Sequence, residues 1–313
     1  MKTITKIKYS TFDLNSMKNI KKIKYSTFDV VLVIFLGLVC ITCILPFVNL
    51  LAISFSGSTA VAAGKVGLIP KDFTLSSYEF VLSGGKFLRA MMVSIERVII
   101  GTGINLLLMV LTAYPLSKGT KKLAGRKYYM LFFVITMLIG GGMIPTYLVV
   151  SNLGLKDTIW ALILPGALPV YSMIILMNFI RELPAEMEEA AEIDGATPLQ
   201  ILIRVILPVL KPALATVGLF CIVGHWNDWF SGMIYMSNPD NYPLQTYLQS
   251  LLQNFDQLLL SDNTHDIQSL LSKMNARTGR AAQLFLGSIP IILIYPFLQK
   301  NFTKGLVLGS VKG

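Results

Sequence analysis

The side chains of this chain that can do chemistry gather in two short runs. One is Gly224-His225-Trp226-Asn227-Asp228-Trp229-Phe230, which follows the wholly apolar Leu219-Phe220-Cys221-Ile222-Val223. An imidazole, an amide, a carboxylate and two indoles at this density are costly against lipid. They belong in a bundle interior, against a partner subunit or beside a water-filled cavity. Aromatic faces suit the apolar face of a sugar ring, and amide or carboxylate groups suit its hydroxyls, so His225, Trp226, Asn227, Asp228 and Trp229 have the composition of a substrate path. An interfacial aromatic belt or an intersubunit contact fits the same residues. No residue has the setting of a catalytic nucleophile or a metal ligand. Cys40 and Cys43 form a C-x-x-C inside an apolar segment with no second ligand pair, and Cys221 stands alone in another, so packing accounts for all three.

The second run, Glu189 to Pro208, reads EAAEIDGATPLQILIRVILP. Pro184 can open a helix, and Glu186, Glu188 and Glu189 then sit where the helix dipole favours anions. Gly195 can end that helix. Thr197 is placed to cap a second one, with Pro198 at its first position and Gln200 three residues on to reach back, a capping box. Leu199, Leu202, Ile203 and Ile206 would share one face, with Gln200 and Arg204 on the other. The product is a short acidic helix, a glycine elbow and an amphipathic helix that suits a membrane surface, with the composition of a docking loop. An ordinary acidic surface loop is the plain alternative.

These runs must be positioned by membrane helices. The chain has 313 residues, of which 54% are hydrophobic and 14% charged, with a mean hydropathy of +0.64, more apolar surface than one soluble globule can hide. Six stretches are long enough to span, roughly 30–54, 94–117, 128–150, 158–181, 207–235 and 282–299. They are continuously apolar rather than alternating, which favours an all-α membrane protein over a barrel. The first span follows basic residues but is too long for a cleaved signal.

Orientation follows the lysines and arginines. Lys2, Lys6, Lys8, Lys18, Lys21, Lys22 and Lys24 precede the first span, and Lys118, Lys121, Lys122, Arg126 and Lys127 follow the second. Both segments should be cytoplasmic, and six spans then return the C-terminus and the acidic loop to the same side. The net charge of +10 is read as topology, since its residues flank membrane segments; nucleic acid is not an expected partner. The basic tail 1–27 carries a direct repeat, KIKYSTFD at Lys6–Asp13 and again at Lys22–Asp29, which suits orientation or anionic lipid. Gly140, Gly141 and Gly142, followed by Pro145, permit either close helix packing or a pore-lining bend. Glu96 and Arg97 read as an exposed pair at the membrane boundary.

At the second run the chain resembles the inner-membrane permease subunits of ATP-binding cassette importers, whose cytoplasmic signature is E-A-A, three residues, glycine, nine residues, then I-x-L-P. Glu189, Ala190, Ala191 and Gly195 match, and Val205, Leu207 and Pro208 close the pattern with valine for isoleucine. The extended form with Asp194 and Ala196 resembles the carbohydrate-uptake branch of the maltose type, as does the pair Trp226-Asn227. The finer likeness is to Gram-positive permeases for complex oligosaccharides, of the lipoprotein-linked or aldouronate type. The resemblance covers residues 28–313. It implies a type I importer permease fold and a coupling helix within about 184–208 that seats in an ATPase subunit. It also implies a second homologous permease, two ATPase subunits that hold ATP and magnesium, an extracytoplasmic substrate-binding lipoprotein, and a carbohydrate substrate. The chain itself would bind no cofactor and catalyse nothing.

Leu82-Ser83-Gly84-Gly85-Lys86 looks like the nucleotide-gripping signature of the ATPase subunits, yet no G-x-x-x-x-G-K-[ST] exists in the chain to cradle phosphates. Two rival readings are an ion-gradient-driven transporter and a membrane subunit that recruits a partner without transporting. The first would need buried ionisable groups near the midplane, and only His225 and Asp228 offer themselves.

Overall fold

The computed structural model describes residues 27–83, 85–120, 122–250, 277–290 and 292–293. The lysine-rich tail 1–26, the acidic and histidine residues between 251 and 276, the last part of the sixth expected span (294–299) and the closing run 304–313 lie outside them. Among the described residues the regular structure is helical and no strand occurs. The chain divides into two compact units, residues 1–49 and 50–313.

The described part of the first unit belongs to one helix, α1 (Thr27–Ser54), whose most apolar window has a hydropathy of 3.0. Its 28 residues reach about 42 Å at 1.5 Å per residue, more than a ~30 Å hydrocarbon layer needs.

The second unit is organised by α4 (Lys86–Ser117), among the described residues the other single helix long and apolar enough to cross. Two short helices, α2 (Ser58–Ala62) and α3 (Ser76–Ser83), precede it. One side of α4 presents Met109, Ala113 and Leu116 to Met173, Leu176, Met177 and Ile180, all on α8 (Val170–Arg181). The same cluster takes in Ala213, Val217 and Cys221 from α12 (Lys211–Asn227). Met109 and Met173 have no exposed surface; in a bilayer, where lipid tails are as apolar as these side chains, close van der Waals packing along this seam holds α4, α8 and α12 together.

Three expected spans are broken rather than continuous. The third divides into α5 (Arg126–Leu138) and α6 (Met143–Asn152), which meet at 108°. The break falls on the glycines: Gly142 has φ +85°, and a Cβ on Gly140 or Gly141 would meet nothing within 4 Å. Within this chain these glycines therefore serve the bend, and not a close helix contact. The fourth span bends by 52° between a segment holding α7 (Ile159–Ile163) and a 3₁₀ turn, and α8. Pro165 and Pro169, which lack an N–H to continue the ladder, lie at this bend. The fifth bends by 82° between Val209 and Lys211, and it ends at Asn227 instead of running to 235. A separate short helix, α13 (Phe230–Tyr235), follows. With each bent pair taken as one span, five candidate crossings lie among the described residues.

The loop after α6 is stapled to the loop after α13. Asp157, at φ +58°, accepts from the backbone N–H of Ser237 at 2.5 Å and of Asn238 at 3.0 Å. Those N–H groups, Asn238 foremost, hold its carboxyl below the usual carboxylate range.

Candidate functional site

At one end of the second unit the acidic run folds as the sequence predicts, with local differences. Helix α9 (Glu186–Ile193) begins two residues after Pro184. Gly195 stands at φ +78°, the left-handed elbow that suits a residue without a Cβ. Thr197 and Gln200 form the full capping box at the start of α10 (Pro198–Ile201). Ala191 and Ala196 are small enough to pack on the main cluster, while Glu186, Glu189, Ala190, Asp194 and Gly195 are exposed and Glu188 is half-buried. Pro208, on α11 (Leu207–Val209), is exposed too.

The buried face of the second helix differs from expectation. Ile201, Leu202 and Ile206 are buried, whereas Leu199 and Ile203 are exposed. The cause is a π turn over Leu202–Ile206: its wider i→i+5 bonding advances each residue by less than the 100° of an α-helix, which carries Ile206 back over Leu202. Leu199, Ile203 and Ile193, the last 86% exposed, are left as apolar groups on the surface beside the acids.

Basic residues after α4 clamp this segment. Lys118 pairs with Glu188 and also lies 4.2 Å over the Tyr114 ring. Lys122 pairs with Glu192 at 2.5 Å, and that hydrogen bond raises the lysine's pKa above its usual value. Arg126 Nε donates to the Leu116 carbonyl at 2.7 Å and Arg181 Nη2 to the same oxygen at 3.3 Å. Two guanidiniums thus satisfy an orphan carbonyl at the negative end of α4. The two lysines, Pro184, Glu188 and Glu189 line a cleft of about 250 Å³.

Away from this end lies a buried polar cluster built by residues far apart in sequence. Arg97, expected as an exposed boundary residue, is 2% exposed. Its Nη2 donates to Asp228 Oδ2 at 2.5 Å and to the Leu162 carbonyl at 3.2 Å, and its Nη1 to the Asp228 carbonyl at 2.9 Å. The correction has a physical reason: α4 turns this position inward, and a guanidinium there needs an anion, which the break after Asn227 supplies. Asp228 also accepts from Ser231, through its hydroxyl at 2.5 Å and its N–H at 3.1 Å.

Asn105, eight residues further along α4, donates through Nδ2 to the Gly166 and Ala167 carbonyls at 3.0 and 2.8 Å. Its Oδ1 is then the acceptor facing His225 Nε2 at 2.7 Å, so the network assigns that proton to Nε2. His225 packs tightly on α4, since a Cβ on Gly101 would lie 2.5 Å from its Nε2. Arg97, Asn105, His225 and Asp228 all line a cavity of about 260 Å³ that also touches Phe220 and Tyr235.

The remaining sequence candidates lie elsewhere. Trp226 is 4% exposed and packs with Val81, Phe87, Leu244 and Leu248. Asn227 and Trp229 are exposed, and Gly141 sits at the exposed break between α5 and α6. The sequence reading missed Asn105 and Ser231, and it misplaced Arg97; the available signal was an arginine and an amide on one apolar helix, with an aspartate in an apolar span for which no partner had been found.

A family model described as the binding-protein-dependent transport system inner membrane component matches residues 81–307. The chain belongs to that family. The permease is 41% identical to Protein LplC of Bacillus subtilis (strain 168) over 281 residues, 90% of this chain and 93% of that protein. It is 38% identical to the polygalacturonan/rhamnogalacturonan transport system permease protein YtcP of the same organism over 285 residues, 89% and 96% of the two chains. A chain from the crystal structure of a bacterial ABC transporter that imports the acidic polysaccharide alginate superposes with a TM-score of 0.81 at 32% identity, covering 89% of the permease and 99% of that chain. The permease therefore has the all-α type I importer fold. It is a membrane-embedded transporter subunit rather than an enzyme, and it works with an ATPase and a substrate-binding protein.

Proposed function

We propose that this permease forms the membrane path of an ATP-driven oligosaccharide importer, with α9 and α10 as the seat of its ATPase. The observation that carries the reading is the clamped acidic segment: α9, the Gly195 elbow and the capped α10 are tied to the end of α4 by Lys118–Glu188 and Lys122–Glu192. A force on α9 then passes through packed elements into α4 and, through the π turn, into α12. Glu186, Glu188, Glu189, Ala190, Ala191, Asp194, Gly195, Ala196 and Pro208 form the coupling surface, with exposed Ile193 and Leu199 as apolar contacts beside the acids.

Carbohydrate as the cargo is supported by relatives whose names specify arabinooligosaccharides, galactooligosaccharides and maltodextrin. His225 and Asp228, beside the interior cavity, are its path residues in this reading. Trp226 supports the path from behind, and Asn227, Trp229 and Gly141 face outward toward a second, homologous permease. The whole importer has that second permease, two ATPase subunits that hold ATP and magnesium, and a lipoprotein that delivers substrate outside. The permease binds no cofactor. Both termini are cytoplasmic, a reading supported by the contact of the basic loop after α4 with the acidic run, and the plasma membrane is that of a Gram-positive bacterium.

The test is affinity purification from the native membrane, with mass spectrometry of the retained proteins, for wild type and Glu189→Ala/Gly195→Val. The expected result is an ATPase, a second permease and a binding protein with wild type, and loss of the ATPase alone with the variant. Retention of the ATPase by the variant would refute the coupling assignment.

A further inference from the structure

The interior cavity is polar, yet its charges cancel. Among the described residues that line it, Arg97 is the one cation and Asp228 the one anion, and the two are committed to each other at 2.5 Å. Asn105, His225 and Ser231 add neutral hydrogen-bonding groups, while Phe220 and Tyr235 add aromatic faces. One donor is left over: Arg97 Nε is buried and has no acceptor. A buried N–H without a partner is costly, so a small shift of Arg97 that opens this N–H to an oxygen acceptor in the cavity is favoured.

The kind of oxygen is decided by charge. A carboxylate entering here would have to shed its water beside Asp228, which Ser231 and the Asn227–Trp229 break hold in place. No second cation is present among the lining residues to compensate it. A hydroxyl or ring oxygen offers the same acceptor without that penalty, and the aromatic faces suit the apolar side of a pyranose.

We infer that this cavity is a subsite for one uncharged sugar ring, and that the cancelling Arg97–Asp228 pair is the element that rejects rings bearing a carboxylate. The assignment rests on the carbohydrate-importer reading and names the charge class handled at this point of the path.

The experiment uses the assembled permease–ATPase complex in lipid nanodiscs without its binding protein, as wild type, Asp228→Asn and Arg97→Gln/Asp228→Asn. Calorimetry compares a neutral galactose trisaccharide with the galacturonate trisaccharide of the same linkage. Wild type should bind the neutral probe at least about tenfold more tightly. Asp228→Asn, which leaves Arg97 uncompensated, should shift the ratio by about tenfold or more toward the acidic probe, and the shift should shrink at high salt. The double variant, again neutral, should keep the neutral preference with weaker binding.

Should Asp228→Asn fail to assemble, wild type and the double variant still decide. Equal binding of the two probes by wild type, binding of neither, an acidic preference, or loss of the neutral preference in the double variant overturns the proposal. An unchanged ratio in an assembled Asp228→Asn complex overturns it as well. If wild type binds neither probe while its complex still drives ATP-dependent oligosaccharide uptake, the subsite fails and the importer reading stands. If no ATPase assembles with wild type at all, the importer reading itself fails.

Discussion

Lys122–Glu192, from the loop after α4, and Arg97–Asp228, from α4 itself, are both ion pairs between segments far apart in sequence, and their surroundings differ. The first joins side chains 53% and 47% exposed; the second joins a guanidinium 2% exposed to a carboxylate 30% exposed at the cavity. In Lys118–Glu188 each partner is 16% exposed. Exposed pairs gain little because water competes for both charges, and they are remade cheaply when another surface arrives. A buried pair is different: it adds little over an apolar core, but removing one partner strands the other. The outer clamp is thus suited to a surface that docks and releases, and the inner pair to a strut that fixes where α12 ends.

The sharpest way to break this contrast is Arg97→Met, which leaves the Asp228 carboxylate without its cation. A loss of about 2–3 kcal/mol is expected, below the ~3–5 kcal/mol of a fully buried pair because Asp228 is 30% exposed, read from unfolding of the purified permease in mixed micelles. A loss below about 1 kcal/mol would mean the inner pair is no more a strut than the outer ones. Next comes Gly101→Val, since a Cβ there would stand 2.5 Å from His225 Nε2. His225 must leave Asn105, at a cost of about 1–3 kcal/mol from overpacking, and uptake should fall while ATPase retention stays intact. Loss of the ATPase along with uptake would show that the cavity and the coupling end are not separate devices.

Lys122→Ala should cost about 0.2–1 kcal/mol and nothing measurable at 1 M salt. Because the folded state raises the Lys122 pKa, its contribution is fully present below the ordinary lysine range. It is lost only as pH rises through the raised value, so the stability difference between wild type and variant should be flat from pH 6 to 9. Asp157 has the opposite sign. Its carboxyl is held low, so protection of the Ser237 and Asn238 amides, corrected for intrinsic exchange, should persist from neutral pH into the ordinary carboxylate range and fall only below it.

The coupling end was readable in the sequence because its devices are local. A capping box needs residues three apart, a C-terminal glycine needs one position, and Thr197, Gln200 and Gly195 supply both. The error there was one of phase: Leu199 and Ile203 were assigned to the buried face on a regular 100° step, and the π turn at Leu202–Ile206 altered that step. No composition marks such a turn. The interior site was half readable. Its polar residues at 225–229 stood out against an apolar segment, but their partners do not: Arg97 and Asp228 are 131 positions apart, and Asn105 and His225 are 120 apart. Trp226 looked like the most sugar-ready side chain of the run, yet the orientation of α12 sends it into a packed cluster and turns His225 to the cavity. The glycines at 140–142 were read as a choice between packing and bending, and the open space around Gly140 and Gly141 favours the bend.

The π turn also stores spare length in this linkage. It holds one residue more than the α-helical turn that would replace it, so deleting a single residue within Leu202–Ile206 would allow ordinary i→i+4 bonding to close. The flanking turns would then stay nearly in phase, because four residues at about 100° sweep about the same arc as five at the smaller π step, and Glu188 and Glu192 would stay near Lys118 and Lys122. The five residues of that turn work as a splice between motor and membrane: one residue can be lost there with both ends kept in phase, whereas a loss in the α-helical turns on either side would rotate one end by about 100°.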